Sequence, residues 1–378
     1  MRCVLAAAGA VLAAAAIAAP AAAASPSPAA IAPARGGAQL SGRGVLVNYP
    51  SRAVPRLPKI KASAWVIADA ATGQVLAAKD PHGWYRPAST LKVLTAISLI
   101  PALNPKAMVV ASKQATTVSP NIVGLMRGHS YKVSDLFTAL LTISANDAAM
   151  ALAQATGSLS QGMAVINAEA RHLQADDTVA VTPNGLDAPG QHTSAYDLAL
   201  FARQGLQMPA FLKYDRTTSG QFRISKKKSV GLWNQNTLLA TYPGALGGKI
   251  GWTSAAGATY VGMARRHGVT LIVSLLHCPA LTEITAGKSL LNWGFAVDGK
   301  VRPVGTLVGP KPPPAATPAP SAFASRPAVT AERADRAQSV GSGPSALATA
   351  GFSSVALLVA GIGFAHNRRQ RSVAQRRS

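Results

Sequence analysis

The sequence predicts a mixed α/β (α+β) domain built on one antiparallel sheet flanked by helices, with a helical subdomain inserted between its strands. Three observations predict it. Residues 64–79 read as two β-type runs joined at Ala70-Ala71-Thr72-Gly73. Residues 105–215 alternate apolar helical stretches with polar loops, most clearly at Val133 to Ile143 and Asp147 to Thr156. From Gln221 onward β-type runs return, at 221–230, 247–253, 258–265 and 269–276, and a helix-compatible run from Leu281 to Ala296 closes the domain. Strands, a helical block, strands and a final helix fit one sheet whose strands come from both ends of the domain.

The elements follow in order. Met1-Arg2 opens onto an Ala/Val/Leu/Ile run that ends in small residues at Ala21 to Ala24, the pattern of a signal peptide over 1–24. Residues 25–60 are rich in Pro, Ala and Arg without a period and read as a disordered lead-in. The folded domain is expected over 61–302. Within it Ser89 to Ile100 is apolar and helix-compatible, starting just after Pro87, and His267-Gly268 marks a turn between two late strands. Residues 303–344 hold a Pro-Pro-Pro run and few large apolar side chains, and read as a linker. Ser345 to Ala365 is 21 residues without a charge. At 1.5 Å per residue such a helix spans a bilayer core of about 30 Å. The tail 366–378 carries five Arg and no acid, which places it on the cytoplasmic side and the domain outside. The localisation expected is therefore a single-pass membrane protein with an extracytoplasmic domain.

Composition narrows the function classes. The chain has 378 residues, with 37 Lys+Arg against 14 Asp+Glu, a net charge of +23. The cations are scattered, aromatics are few and no nucleic-acid motif is present, so nucleic acid is not the expected partner. Net positive charge also suits anionic lipid or an anionic cell wall. Of the two cysteines, Cys3 falls in the signal peptide and Cys278 in an apolar run, so no intrachain disulfide is expected in the mature chain. The seven His show no metal-ligand spacing; neither metal nor cofactor is expected.

Three short motifs carry the chemistry: Ser89-Thr90-Leu91-Lys92, Ser144-Ala145-Asn146 and Lys249-Ile250-Gly251. Each alone has an ordinary reading, as a helix cap, an inter-helix turn and a Gly-rich turn. In this order they form the S-x-x-K, S-x-N and K-x-G set of penicillin-binding proteins and serine β-lactamases. Ser89 and Lys92 share one helical face, so the lysine can act as base on the hydroxyl if it is neutral. Burial and a second cation, for which Lys249 is the candidate, would make it so.

The chain resembles the serine-type D-alanyl-D-alanine carboxypeptidases, the low-molecular-mass penicillin-binding proteins. The resemblance covers roughly 62–296. It runs through Pro87 to Lys92, Ser144 to Ala149, Asn184-Gly185-Leu186, Thr193 to Leu198, Asn234 to Leu239 and the Lys249 segment. It implies a β-lactamase/DD-peptidase-like fold. It also implies Ser89 as acyl-accepting nucleophile, Lys92 as base, Ser144 as proton relay, Asn146 as a substrate contact and Lys249 as anchor for the peptide carboxylate. Gly251, Trp252 and Thr253 would complete the substrate site, with the N–H groups of Ser89 and Trp252 as an oxyanion hole. The partners implied are peptidoglycan stem peptides ending in D-Ala-D-Ala, β-lactam antibiotics, and the membrane through the C-terminal helix.

One residue departs from the family's pattern. The third motif has Ile250 where the family has Thr or Ser, so a hydroxyl that helps hold the carboxylate is missing. Two alternatives follow. One is a wall-binding protein that is acylated without efficient turnover. The other is a serine β-lactamase; against it, Glu169 is the only Glu between the second and third motifs, and its surroundings do not resemble the deacylating loop of those enzymes.

Overall fold

The computed structural model describes residues 34–312. The expected signal peptide, the anchor over 345–365, the basic tail and most of the linker lie outside the described residues. Among the described residues no helix is long and apolar enough to cross a membrane.

The chain enters through a 3-10 turn at Ala38–Ser41 and a short strand β1 (Val45–Leu46). A hairpin follows, β2 (Ala64–Asp69) and β3 (Gln74–Lys79). Its turn is tied by the Asp69 carboxylate, which accepts from Thr72 N and Thr72 Oγ1 at 2.6 and 2.7 Å. A second 3-10 turn, Ala88–Leu91, runs into α1 (Lys92–Leu99). The helical block then comprises α2 (Lys113–Thr116), α3 (Val133–Thr142), α4 (Asn146–Gln154), α5 (Leu159–His172), α6 (Ala195–Leu206) and α7 (Pro209–Asp215). It also holds a small strand pair, β4 (Met108–Val110) with β5 (Ser130–Lys132). A second hairpin, β6 (Ser219–Arg223) and β7 (Ser229–Trp233), replaces the single run expected at 221–230. After α8 (Leu238–Thr241) come β8 (Ala245–Thr253), β9 (Gly257–Arg266), β10 (Val269–Cys278), α9 (Glu283–Val297) and β11 (Gly305–Thr306).

The main sheet is antiparallel throughout, in the order β1-β3-β2-β10-β9-β8, with β11 also on β3. Both of its faces are covered, which is why β2 is buried along its whole length rather than alternately. Val66 and Ala68 face the helical block; Trp65 and Ile67 face the layer containing α9. Successive side chains of one strand thus feed two separate apolar clusters.

Two boundaries move. Residues 38–60 are not a disordered lead-in. Leu40 is fully buried, β1 pairs with β3, and Trp293 Nε1 donates to Pro55 O at 3.0 Å. The linker does not begin at 303 either. β11 pairs with β3, Leu307 is 1% exposed, and Arg203 Nη1 donates to Leu307 O at 2.8 Å. Both segments lack the apolar periodicity of a regular element, yet each supplies one buried leucine and a two-residue pairing. That is too little pattern to register in sequence and enough to join the sheet edge.

Candidate active site

Ser89 lies in the 3-10 turn that opens α1, with its backbone against β8 and β9. Thr259 Oγ1 on β9 donates to Pro87 O at 2.9 Å and fixes the entry of the turn. Gly251 on β8 is needed there: a Cβ at this position would stand 2.6 Å from Ser89 N and 2.9 Å from Thr90 N. The third motif's glycine therefore lets an edge strand approach the nucleophile's own N–H.

Lys92 is fully buried. Its Nζ lies 2.8 Å from Ser89 Oγ, 2.7 Å from Asn146 Oδ1 and 2.6 Å from the Asn184 carbonyl. Burial pushes its pKa well below the ordinary lysine value, the charge of Lys249 pushes it further, and Asp147 opposes them. The neutral amine this favours has two N–H groups and one lone pair. Asn146 Oδ1 and Asn184 O can only accept, so they take both N–H groups. The lone pair is left for the Ser89 hydroxyl proton. Asn146 cannot reverse its amide without cost, because its Nδ2 donates to Ser119 O at 2.8 Å.

The second motif sits in the turn between α3 and α4. Ser144 adopts φ 63°, the left-handed region that an L-residue other than Gly, Asn or Asp seldom occupies. Its Oγ is buried and has no hydrogen-bond partner among the described residues. Asp147, the next acid along, collects Val123 N, Gly124 N and Leu125 N at 2.8–3.0 Å. It thereby holds the loop whose Ser119 and Asn121 carbonyls position Asn146.

The third motif lies on β8, the free edge of the sheet. Lys249 is 1% exposed, and its Nζ donates to Ile250 O at 2.7 Å. Burial brings its pKa down to about 7, with the Asp215 carboxylate pulling the other way. Ile250, the next residue of β8, packs half-buried against the apolar cluster beside α9. The Trp252 side chain is 60% exposed. Thr253 Oγ1 accepts from Ala256 N at 3.0 Å, which ties it into the β8–β9 turn.

Of the expected site residues, Ser89, Lys92 and Asn146 are joined by hydrogen bonds, Gly251 abuts the Ser89 backbone, and Lys249 acts on Lys92 through its charge. Ser144 lies two residues from Asn146 with a free hydroxyl. Trp252 is exposed and Thr253 is tied into the β8–β9 turn, and both follow Gly251 directly on β8. Three participants were not assigned a role from sequence: the Asn184 carbonyl, the Asp147 clamp and buried Asp215. A carbonyl has no sequence signal. Asp147 carried one, as an acid in the first turn of a helix that follows a functional motif.

Comparison with known proteins identifies the family and the scaffold. The model of the D-alanyl-D-alanine carboxypeptidase family, peptidase S11, matches residues 51–279. The chain is 37% identical over 264 residues to the D-alanyl-D-alanine carboxypeptidase DacB2 of Mycobacterium tuberculosis, covering 68% of this chain and 90% of that protein. A crystal structure of a D-alanyl-D-alanine carboxypeptidase from M. tuberculosis H37Rv superposes with a TM-score of 0.65 at 37% identity, covering 68% of this chain and 99% of that one. Penicillin-binding protein 6B from Escherichia coli gives a TM-score of 0.59 at 30% identity, over 66% and 81% of the two chains. A nucleophile beside a buried lysine, on a scaffold shared with these proteins, is the working part of a serine hydrolase, and this chain belongs to the D-alanyl-D-alanine carboxypeptidase family.

Proposed function

We propose that the protein trims peptidoglycan stem peptides by removing the terminal D-alanine through a Ser89 acyl-enzyme, and that penicillin blocks it by acylating the same oxygen. The observation that carries this reading is the placement of Lys92 Nζ between two obligatory acceptors and the Ser89 hydroxyl. Ser89 Oγ attacks the carbonyl carbon of the penultimate residue and its proton passes to Lys92. The oxyanion is met by the N–H groups of Ser89 and Trp252, each donor of this kind typically worth about 2.7–4 kcal/mol. Ser144 carries a proton to the departing D-alanine amine, a role its free buried hydroxyl suits. Lys249 takes the peptide's free carboxylate. Water then cleaves the ester. Because β8 is a free edge, the peptide can align along it by main-chain hydrogen bonds.

The site works, in this proposal, outside the cytoplasmic membrane. The apolar leader, the 345–365 run and the Arg tail support export and anchoring. A second reading, a protein that is acylated but turns over poorly, is favoured by Ile250 alone.

Intact-mass analysis after incubation with penicillin is expected to show one adduct on the wild type and none on Ser89→Ala. D-alanine release from a diacyl-Lys-D-Ala-D-Ala peptide is expected for the wild type only. An unmodified wild type at high drug concentration overturns the acyl-enzyme. An adduct without release favours the second reading.

A further inference from the structure

Beneath the third motif lies a carboxylate for which the mechanism above has no use. Asp215, the last residue of α7, is 0% exposed. Its Oδ2 accepts from Gly248 N at 2.7 Å. Its Oδ1 is buried without a hydrogen-bond partner among the described residues. The backbone has been shaped around it: a Cβ at Gly247 would lie 2.1 Å from Asp215 Oδ2, and Gly247 sits at φ +134°. A buried acid satisfied on one oxygen only is costly unless a positive charge faces it.

The surrounding groups identify that charge. On β8 it is Lys249, whose protonated form Asp215 favours. On β9 the neighbour is Tyr260, which carries no positive charge: burial and the Asp215 charge both push its phenol up, and its hydroxyl donates to Asn236 Oδ1 and so offers Asp215 no proton. On α9 Glu283 also raises the Tyr260 phenol. On α3 Asp135 faces Tyr214. On α7 Lys213, and just past its end Arg216, are exposed to solvent. On α6 Arg203 is spent on the Ala70, Ala71 and Leu307 carbonyls. Lys92, the other buried lysine of the site, is pushed toward its neutral form and supplies no such charge.

We infer that Asp215 is a positioning residue of the reaction: from beneath Gly247–Gly248 it keeps the Lys249 ammonium charged in a site too dry to keep it so alone, and thereby secures the anchor for the substrate carboxylate. This rests on the carboxylate-anchoring role given to Lys249 above. Burial moves Lys249 down to about 7 and Asp215 up to about 7, and the charge of each opposes that shift in the other. An arriving carboxylate adds a second negative charge that favours the protonated Lys249. With Asp215 uncharged, Lys249 would lose its proton at a lower pH, and the anchor would be neutral at pH 7.5.

The test compares Asp215→Asn, whose amide oxygen can still accept from Gly248 N, with wild type. The readout is the second-order rate of acylation by benzylpenicillin, which carries a carboxylate, and by its methyl ester, which does not, from pH 5.5 to 9. Asp215→Asn is expected to slow benzylpenicillin about tenfold at pH 7.5, with the difference shrinking toward pH 6, and to affect the ester much less. Equal slowing of both compounds, or no slowing, overturns the inference. If Asp215→Asn fails to fold, the wild type decides: its rate with benzylpenicillin should fall above pH 7–8 more steeply than with the ester, and parallel profiles overturn the proposal. Acylation is read by mass and not by D-alanine release. A wild type that is acylated but releases no D-alanine thus leaves this test intact and counts only against the carboxypeptidase reading.

Discussion

Ile250 occupies a position where the family has a hydroxyl, and its own packing is now visible. It lies half-buried against the apolar cluster beside α9, one residue from the buried Lys249. Ile250→Thr keeps β-branching and suits a strand. It removes apolar contact from a half-buried site, a cost of about 1 kcal/mol in stability. It adds a hydroxyl beside the carboxylate anchor, and hydrogen bonds to charged groups contribute about 1.5–3 kcal/mol. The expected outcome is a slightly lower Tm with acylation by penicillin faster by roughly ten- to hundredfold. Thermal denaturation and the second-order acylation rate check both halves. An unchanged rate would mean that another group, with Thr253 the first to examine, already holds the carboxylate. The residue types of the site were legible because Ser89, Lys92, Ser144, Asn146 and Lys249 stand in an ordered motif set. Asp215 was not: an acid at the end of a short helix is ordinary until its neighbours are known.

At the level of elements, the segment between α5 and α6 supplies Lys92 with its second acceptor. It runs over 182–191 and delivers the Asn184 carbonyl to the amine. Gln191, 5% exposed, holds it in shape: its Oε1 accepts from Val181 N, Thr182 N and Thr182 Oγ1, and its Nε2 donates to Leu186 O at 2.7 Å. Gln191→Ala removes these bonds at once. Tm is expected to fall, and kcat about tenfold with KM little changed, because the base loses its orientation while the carboxylate anchor on β8 is untouched. Steady-state D-alanine release gives the split; a lower Tm with normal kcat would show that the segment is scaffold only. The longer elements were readable from sequence. α3 and α4 carry a clear apolar period, and β8, β9 and β10 are β-rich runs separated by turn residues. The β6–β7 hairpin was read as one strand because its lysine-rich turn, Lys226-Lys227-Lys228, lacks the Gly or Asn that marks a tight turn.

For the whole molecule, the edge contributed by residues 34–46 and 305–307 is part of the domain. Tyr196 Oη donates to Thr306 O at 2.8 Å, and Thr306 N donates to Gly36 O at 2.9 Å, so the two ends also hold each other. A chain ending at Pro303 loses β11 and the buried Leu307, whose side chain alone is worth about 2 kcal/mol. It is expected to melt about 5 °C or more below a chain ending at Pro314, which should match the longer protein. Equal melting temperatures would show that β11 adds nothing. Sequence missed this because a two-residue strand in a proline-rich stretch has no period to detect. The strand order has one more consequence. β1 and β11, the strands nearest the two ends of the described residues, both pair with β3, and β8 is four strands away from it. At about 4.8 Å per strand that is roughly 19 Å across the sheet. A reporter or surface tether attached beside β1 or β11 would therefore hold the protein by its back, leaving the catalytic margin open to a long, cross-linked polymer arriving from the other side.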